Sequence, residues 1–72
     1  FDLPEVSNLT LTIYNMLGQK VKTFNMQSTP AGYHSIKWNA TNDYGDPVSA
    51  GVYLYQLHTK DFVKTRKMIL LK

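Results

Sequence analysis

The residues of this chain that could do chemistry are few and scattered. Asp43 and Asp46 sit in an oxygen-rich stretch, residues 39–46, reading Asn-Ala-Thr-Asn-Asp-Tyr-Gly-Asp. Oxygen donors on a loop suit a hard cation such as calcium. Here the glycine is displaced from the calcium-loop template and no bidentate glutamate follows. With only two carboxylates left, the stretch reads as a long turn closed by Asn and Asp side-chain hydrogen bonds. His34 and His58 could ligate a metal or act as a base, but they fall on different segments. No cysteine and no carboxylate stands near either at a ligand spacing. No serine occupies a Gly-x-Ser-x-Gly turn, so a hydrolase triad has no support. We therefore expect no catalytic residue, no metal and no cofactor.

Charge and modification motifs add little chemistry. Five of the eight basic residues fall in the last thirteen positions. A basic stripe can bind nucleic acid, but Asp61 interrupts this one and aromatic residues do not interleave with it. The expectation is no nucleic-acid partner, with the cations guarding an exposed terminal strand instead. Asn8-Leu9-Thr10 and Asn39-Ala40-Thr41 match the glycosylation triplet, a pattern that chance produces often.

The elements that position these residues are strands. Seventy-two residues make a single domain, and a chain of that size buries only roughly 60% of its unfolded surface. With no cysteine, stability rests on apolar packing, supplied by Trp38, three Phe and five Tyr among 43% hydrophobic residues. No apolar run reaches the ~18 residues of a membrane span. Residues 1–3 read as the end of a strand stopped by Pro4, and residues 5–8 as a polar connection. Residues 9–15 alternate cleanly, with Leu9, Leu11 and Ile13 on one face and Thr10, Thr12 and Tyr14 on the other. Residues 15–18 form a turn in which Gly18 takes a positive φ. Residues 20–25 return as a short edge strand with Lys20 and Lys22 and a bulge. Residues 26–32 then read as a loop.

Residues 33–39 form the next strand, with His34, Ile36 and Trp38 on one face and Ser35 and Lys37 on the other. After the polar turn, residues 50–60 form a strand with Tyr53, Tyr55 and Leu57 inward. Lys60-Asp61 makes a tight turn, and residues 62–72 close the sheet; periodicity leaves the faces of residues 68–71 open. Turn signals at short, regular spacing with no helical period indicate an all-β sandwich.

The tyrosines refine this. Ser49-Ala-Gly51-Val-Tyr53-Leu-Tyr55 has the spacing of the immunoglobulin F strand. Tyr53 falls where a tyrosine corner returns its hydroxyl to the backbone, and Tyr55 stands where a cysteine would be. The expected fold is a small antiparallel Ig-like or fibronectin-III-like β-sandwich of about six to seven strands, the first of them truncated.

Several blocks in register then resemble a known family. They are residues 9–18 (Leu-Thr-Leu-Thr-Ile-Tyr-Asn-Met-Leu-Gly), 30–34 (Pro-Ala-Gly-Tyr-His), 38–45 (Trp-Asn-Ala-Thr-Asn-Asp-Tyr-Gly), 49–53 (Ser-Ala-Gly-Val-Tyr) and 66–72 (Arg-Lys-Met-Ile-Leu-Leu-Lys). Their order resembles the C-terminal sorting domains of type IX (Por) secretion, type A, which are similar to the FlgD-type Ig-like domain of flagellar hook-capping proteins. Asn39-Ala40 replaces the more usual Asp-Gly after the tryptophan.

The resemblance implies a non-catalytic sorting or anchoring module, the C-terminal domain of a larger secreted protein. That protein would reach the medium or cell surface of a Gram-negative bacterium through the periplasm. The implied partners are the outer-membrane secretion machinery and the upstream domain of the same polypeptide. Pro30, Gly32, Tyr33, Gly51, Tyr53, Lys67 and Lys72 correspond to its signal positions, with Trp38 as a structural candidate. Such domains begin with one more strand, most of which is absent here. The sequence thus predicts an open edge, filled by the parent's upstream strand or by strand addition from a neighbouring chain. The alternatives are a structural spacer or assembly module of the FlgD type and a carbohydrate-binding accessory module of a glycosidase. For the last, Tyr14, Tyr33 and Tyr44 are the candidate aromatics.

Overall fold

The computed structural model of the chain describes residues 2–3, 5–60 and 62–71. Its strands are β1 (Asp2–Leu3), β2 (Ser7–Tyr14), β3 (Lys20–Thr29), β4 (Gly32–Tyr33), β5 (Gly51–Thr59) and β6 (Val63–Leu70). No helix long and apolar enough to cross a membrane occurs among the described residues. The architecture is all-β and antiparallel, a small Ig-like fold, with six strands among the described residues, of which β1 and β4 span two residues each.

The main layer is a four-stranded sheet in the order β3-β2-β5-β6. Alternation along β2 builds it. Leu9, Leu11 and Ile13 face inward and are buried, opposite Thr59, Leu57 and Tyr55 of β5. Tyr53 and Leu57 are buried on the same face as expected, with Tyr55 half-buried beside them. Register also settles the faces of the last strand. Met68 lies opposite Tyr53 and Leu70 opposite Gly51, so both turn inward, while Ile69 and Leu71 are exposed.

The second layer is thin. β1 pairs antiparallel with β4, Asp2 opposite Tyr33 and Leu3 opposite Gly32. Leu3 is 1% exposed and packs with Leu9, Leu11 and Leu57; Ile36 leans on this cluster. A second cluster of Ile13, Val21 and Tyr53 is covered by Trp38 and Val48. Apolar side chains from two layers therefore meet in one core, the arrangement a sandwich requires.

Three boundaries differ from the sequence expectation. β2 begins at Ser7, inside the expected polar connection. β3 continues to Thr29 through what reads as a loop, because Leu9 pairs with Met26 and Ser7 with Thr29. The polar Gln27 and Ser28 disguise the strand: they sit at a register shift where Ser28 takes φ +50° and donates its N–H to Asn8 Oδ1 at 2.8 Å. Of the strand expected over residues 33–39, the described pairing covers Tyr33, together with Gly32 just before it. Residues 34–38 nonetheless retain strand-like alternation, His34, Ile36 and Trp38 half-buried and Ser35 and Lys37 exposed. Phe1, Pro4 and Asp61, to which the opening strand, its stop and the last hairpin turn were assigned, lie outside the described residues. The hairpin itself closes on Thr59, whose N–H donates to Phe62 O at 2.9 Å.

Candidate functional site

Tyr53 is a tyrosine corner. It sits on β5 two residues after Gly51, and its hydroxyl donates to the Ser49 carbonyl at 2.5 Å. The bond spans the entry to the strand and ties the end of the long loop to the core. Trp38 meets the Tyr53 ring edge-on, with centroids 5.3 Å apart and planes at 76°. Such pairs add to plain area burial. The Trp38 indole N–H is satisfied by the Thr41 carbonyl at 2.7 Å. These contacts join Trp38, Thr41, Ser49 and Tyr53 in one structural unit, with Gly51 two residues before Tyr53 on the strand.

Two turns flanking this unit share one design. In residues 15–19 the Leu17 and Gln19 N–H groups donate to Asn15 Oδ1 at 2.9 and 3.0 Å. In residues 42–46 the Tyr44 and Asp46 N–H groups donate to Asn42 Oδ1 at 2.9 and 3.0 Å. In each turn the Asn N–H reaches the carbonyl four residues on, and the glycine N–H reaches the Asn carbonyl. Gly18 and Gly45 take φ of +81° and +85°, a region that favours glycine. Each turn holds an apolar side chain in solvent, Leu17 83% and Tyr44 90% exposed. The Asx-type closure expected of the polar stretch is thus found at Asn42. Its twin at Asn15 was not anticipated, although the shared pattern of Asn followed by Gly three positions later was visible in the sequence.

Asp43 has an architectural job. Its N–H donates to Val21 O at 3.0 Å and its carboxylate accepts the Thr23 N–H at 3.0 Å. The 42–46 turn thereby covers part of the outer edge of β3. No group of three or more potential metal ligands occurs among the described residues. His34 Nε2 lies 2.6 Å from the Pro30 carbonyl, to which it donates, so Pro30, Gly32 and Tyr33 belong to a bend stapled by His34. His58 is exposed on β5. Tyr33 projects from that bend, 88% exposed. Tyr14 is half-buried on β2, so the three tyrosines weighed for sugar binding stand on three separate elements. Lys67 is exposed on β6 opposite Leu54. Lys72 lies outside the described residues.

An open groove of about 420 Å³ lies between the main sheet and residues 34–38. Leu11, Tyr55 and Leu57 contribute from the sheet, Ile36 and Trp38 from the facing segment. Lys64 and Arg66 also line it and are exposed. No acidic residue is among the described residues lining it. This surface combines apolar area with positive charge, and His34 and Ser35 also line it.

Comparison with known families decides the relationship. The sequence model of the FlgD Ig-like domain matches residues 2–61. The chain belongs to this family. No curated protein and no solved structure matches the chain significantly. The span matched by the FlgD Ig-like domain includes the tyrosine corner, both Asn-closed turns and the β1–β4 pair. The match supports the Ig-like side of the resemblance drawn from the sequence blocks, and it says nothing specific to type IX sorting.

Proposed function

We propose that this FlgD Ig-like domain is a non-catalytic spacer or assembly module of a larger protein. It holds a neighbour in place by strand and loop contacts, as in flagellar hook capping. The observation that carries this reading is the family match over residues 2–61. The geometry is compatible with it: two braced turns hold Leu17 and Tyr44 out to solvent, where loop contacts to a neighbour can be made. The test replaces the module in its parent by a flexible linker. Retained parent activity with lost assembly, read by size-exclusion chromatography and cross-linking, is the expected result. Loss of activity with assembly intact would reject the reading.

A second reading, C-terminal sorting through type IX secretion, rests on the resemblance of the sequence blocks, the closing one at residues 66–72 with Lys67 and Lys72 included. On this reading the module acts with the outer-membrane secretion machinery and the upstream domain of its polypeptide, and the product reaches the surface or medium through the periplasm. A periplasmic reporter fused to the module, compared with one ending before Phe62, separates the two. Export only with the intact tail supports sorting. Retention of both, with the module folded, leaves assembly.

A further inference from the structure

We propose that one end of the outer face of the main sheet is a docking platform, and that its occupant is an amphipathic helix of a partner polypeptide whose apolar stripe is flanked on both sides by carboxylates. This deepens the assembly reading above and rests on it.

Register defines the face. Leu9, Leu11 and Ile13 of β2 turn into the core, so Thr10, Thr12 and Tyr14 point the other way. Residues opposite one another across an antiparallel pair share a face. The middle of this face is polar, as alternation on a sheet with one core-facing side calls for: one cross-strand row reads Thr23, Thr12, Gln56, Thr65. Toward the end of the sheet the pattern changes. The row there reads Lys20, Tyr14, Leu54, Lys67, and Val52 stands opposite Ile69 beyond it. Tyr14 and Leu54 are half-buried, whereas Val52 is 37% and Ile69 68% exposed. Four apolar side chains thus sit together where alternation calls for polar ones, a grouping that marks contact surfaces.

The shape of the platform selects a helix. β2 and β5 are the two inner strands, each paired on both sides. Their backbones therefore offer nothing to an added strand, and an occupant is held by side chains. In the order β3-β2-β5-β6, three strand intervals separate Lys20 from Lys67. At about 4.8 Å each, these place the two backbones about 14 Å apart. A helix with its side chains is about 10–12 Å across. Laid along the strands over Tyr14 and Leu54, it fits between the two lysines, both of which are exposed. Its apolar stripe meets the apolar quartet, and its flanks meet Lys20 on one side and Lys67 on the other.

Charge selects among helices. None of the four strands of the main sheet contains an acidic residue. Asp43, at the edge of β3, has its carboxylate engaged by the Thr23 N–H. Carboxylates on both flanks of the helix gain complementary charge, and cations there are repelled. A second copy of this chain docking by the same face is disfavoured on the same ground, since it brings Lys20 and Lys67 against their equals. The formal charge of +3 acts in the same direction.

The test uses the chain itself and synthetic helical peptides. The first is three repeats of Glu-Leu-Ala-Gln-Leu-Glu-Gln, which puts leucine on one stripe and glutamate along both flanks. A twin carries Lys for each Glu, and a third peptide carries proline for the central alanine, which breaks the helix. Side-chain methyl resonances report the site. The acidic helix is expected to shift Val52, Leu54 and Ile69 and leave Ile36 in the groove unmoved. It should gain helicity on binding and bind at least about tenfold more tightly than either other peptide. Lys20→Glu with Lys67→Glu is expected to invert the charge preference. Val52→Ser with Ile69→Ser, at two exposed positions, should weaken binding at least about tenfold while the near-ultraviolet signal of the Trp38–Tyr53 pair shows the fold intact.

Shifts confined to the groove, no binding of the acidic helix at millimolar concentration, or self-association through Val52 and Ile69 without peptide would each overturn the proposal. Binding to phosphatidylcholine vesicles containing phosphatidylglycerol, with no peptide bound, would assign the face to a lipid surface instead. Equal binding of the proline peptide would overturn the helix, and equal binding of the lysine twin its acidic flanks. These outcomes are separable from failure of the assembly reading. Helix docking with parent assembly indifferent to the module would remove that reading and leave the platform.

Discussion

β6 and residues 34–38 are both extended segments at the margin of the fold, and they present their side chains in opposite ways. β6 is the terminal strand of the main sheet, and Val63 to Lys67 are all exposed, three of them cationic. Charge on such an edge discourages further pairing. Residues 34–38 carry one cation, Lys37, which points outward, and turn Ile36 and Trp38 toward an apolar groove. β3, at the far side of the sheet, uses a third solution: Asp43 covers its backbone near Val21 and Thr23. What distinguishes the three edges is the side chains delivered with the backbone: charge, a covering loop, or an apolar recess.

The contrast breaks most severely at Leu3. Leu3→Ala empties a fully buried position beneath the thin second layer and is expected to cost about 3 kcal/mol. Ile69→Ala, on the exposed face of β6, should change stability by less than about 0.5 kcal/mol. Urea denaturation of both variants measures the difference. Comparable losses would mean that the second layer contributes no more than the β6 edge does.

Tyr53→Phe removes one hydroxyl and its bond to the Ser49 carbonyl while keeping the ring beside Trp38. About 1 kcal/mol of stability should go with it, read as a lowered Tm. An unchanged Tm would detach the corner from the stability of the layer that Trp38 belongs to.

The matched turns sharpen the comparison further. An added Cβ at Gly18 or Gly45 meets no heavy atom within 4 Å, so Ala at either position is penalised by φ alone, by about 1 kcal/mol. Equal losses for Gly18→Ala and Gly45→Ala would show that the two turns are energetically as well as geometrically alike. The smallest effect concerns the covered edge. Asp43→Ala should accelerate amide exchange at Thr23, which loses its carboxylate acceptor, and leave β5 amides unchanged.

Legibility in the sequence followed locality. β2 could be read from Leu9, Leu11 and Ile13 because alternation against one buried face is a short-range pattern. The Tyr53 corner was legible because its donor and acceptor lie four residues apart. The far half of β3 was hidden, since Gln27 and Ser28 are polar for the sake of a bulge rather than a loop. The inward turn of Met68 and Leu70 was invisible in an unbroken apolar run; it depends on register with Tyr53 and Gly51 across a hairpin. The groove was hardest of all. Ile36, Leu57 and Arg66 come together only once distant strands have paired, and no periodicity within any one strand encodes that.

The seam between β2 and β5 has a consequence for how fast the molecule assembles itself. β2–β3 and β5–β6 are hairpins whose partners are neighbours in sequence, whereas the seam joins Leu9 to Thr59 and Tyr14 to Leu54. Hairpins form in about 1–10 μs, but the seam must first close a long loop, from Tyr14 to Leu54 at its shortest. Folding is thus a search by two quickly made halves for each other, and the seam sets its tempo. Substitutions at Leu11 or Leu57 should slow refolding, while changes in the Asn15 turn should mainly alter how readily one half is prepared.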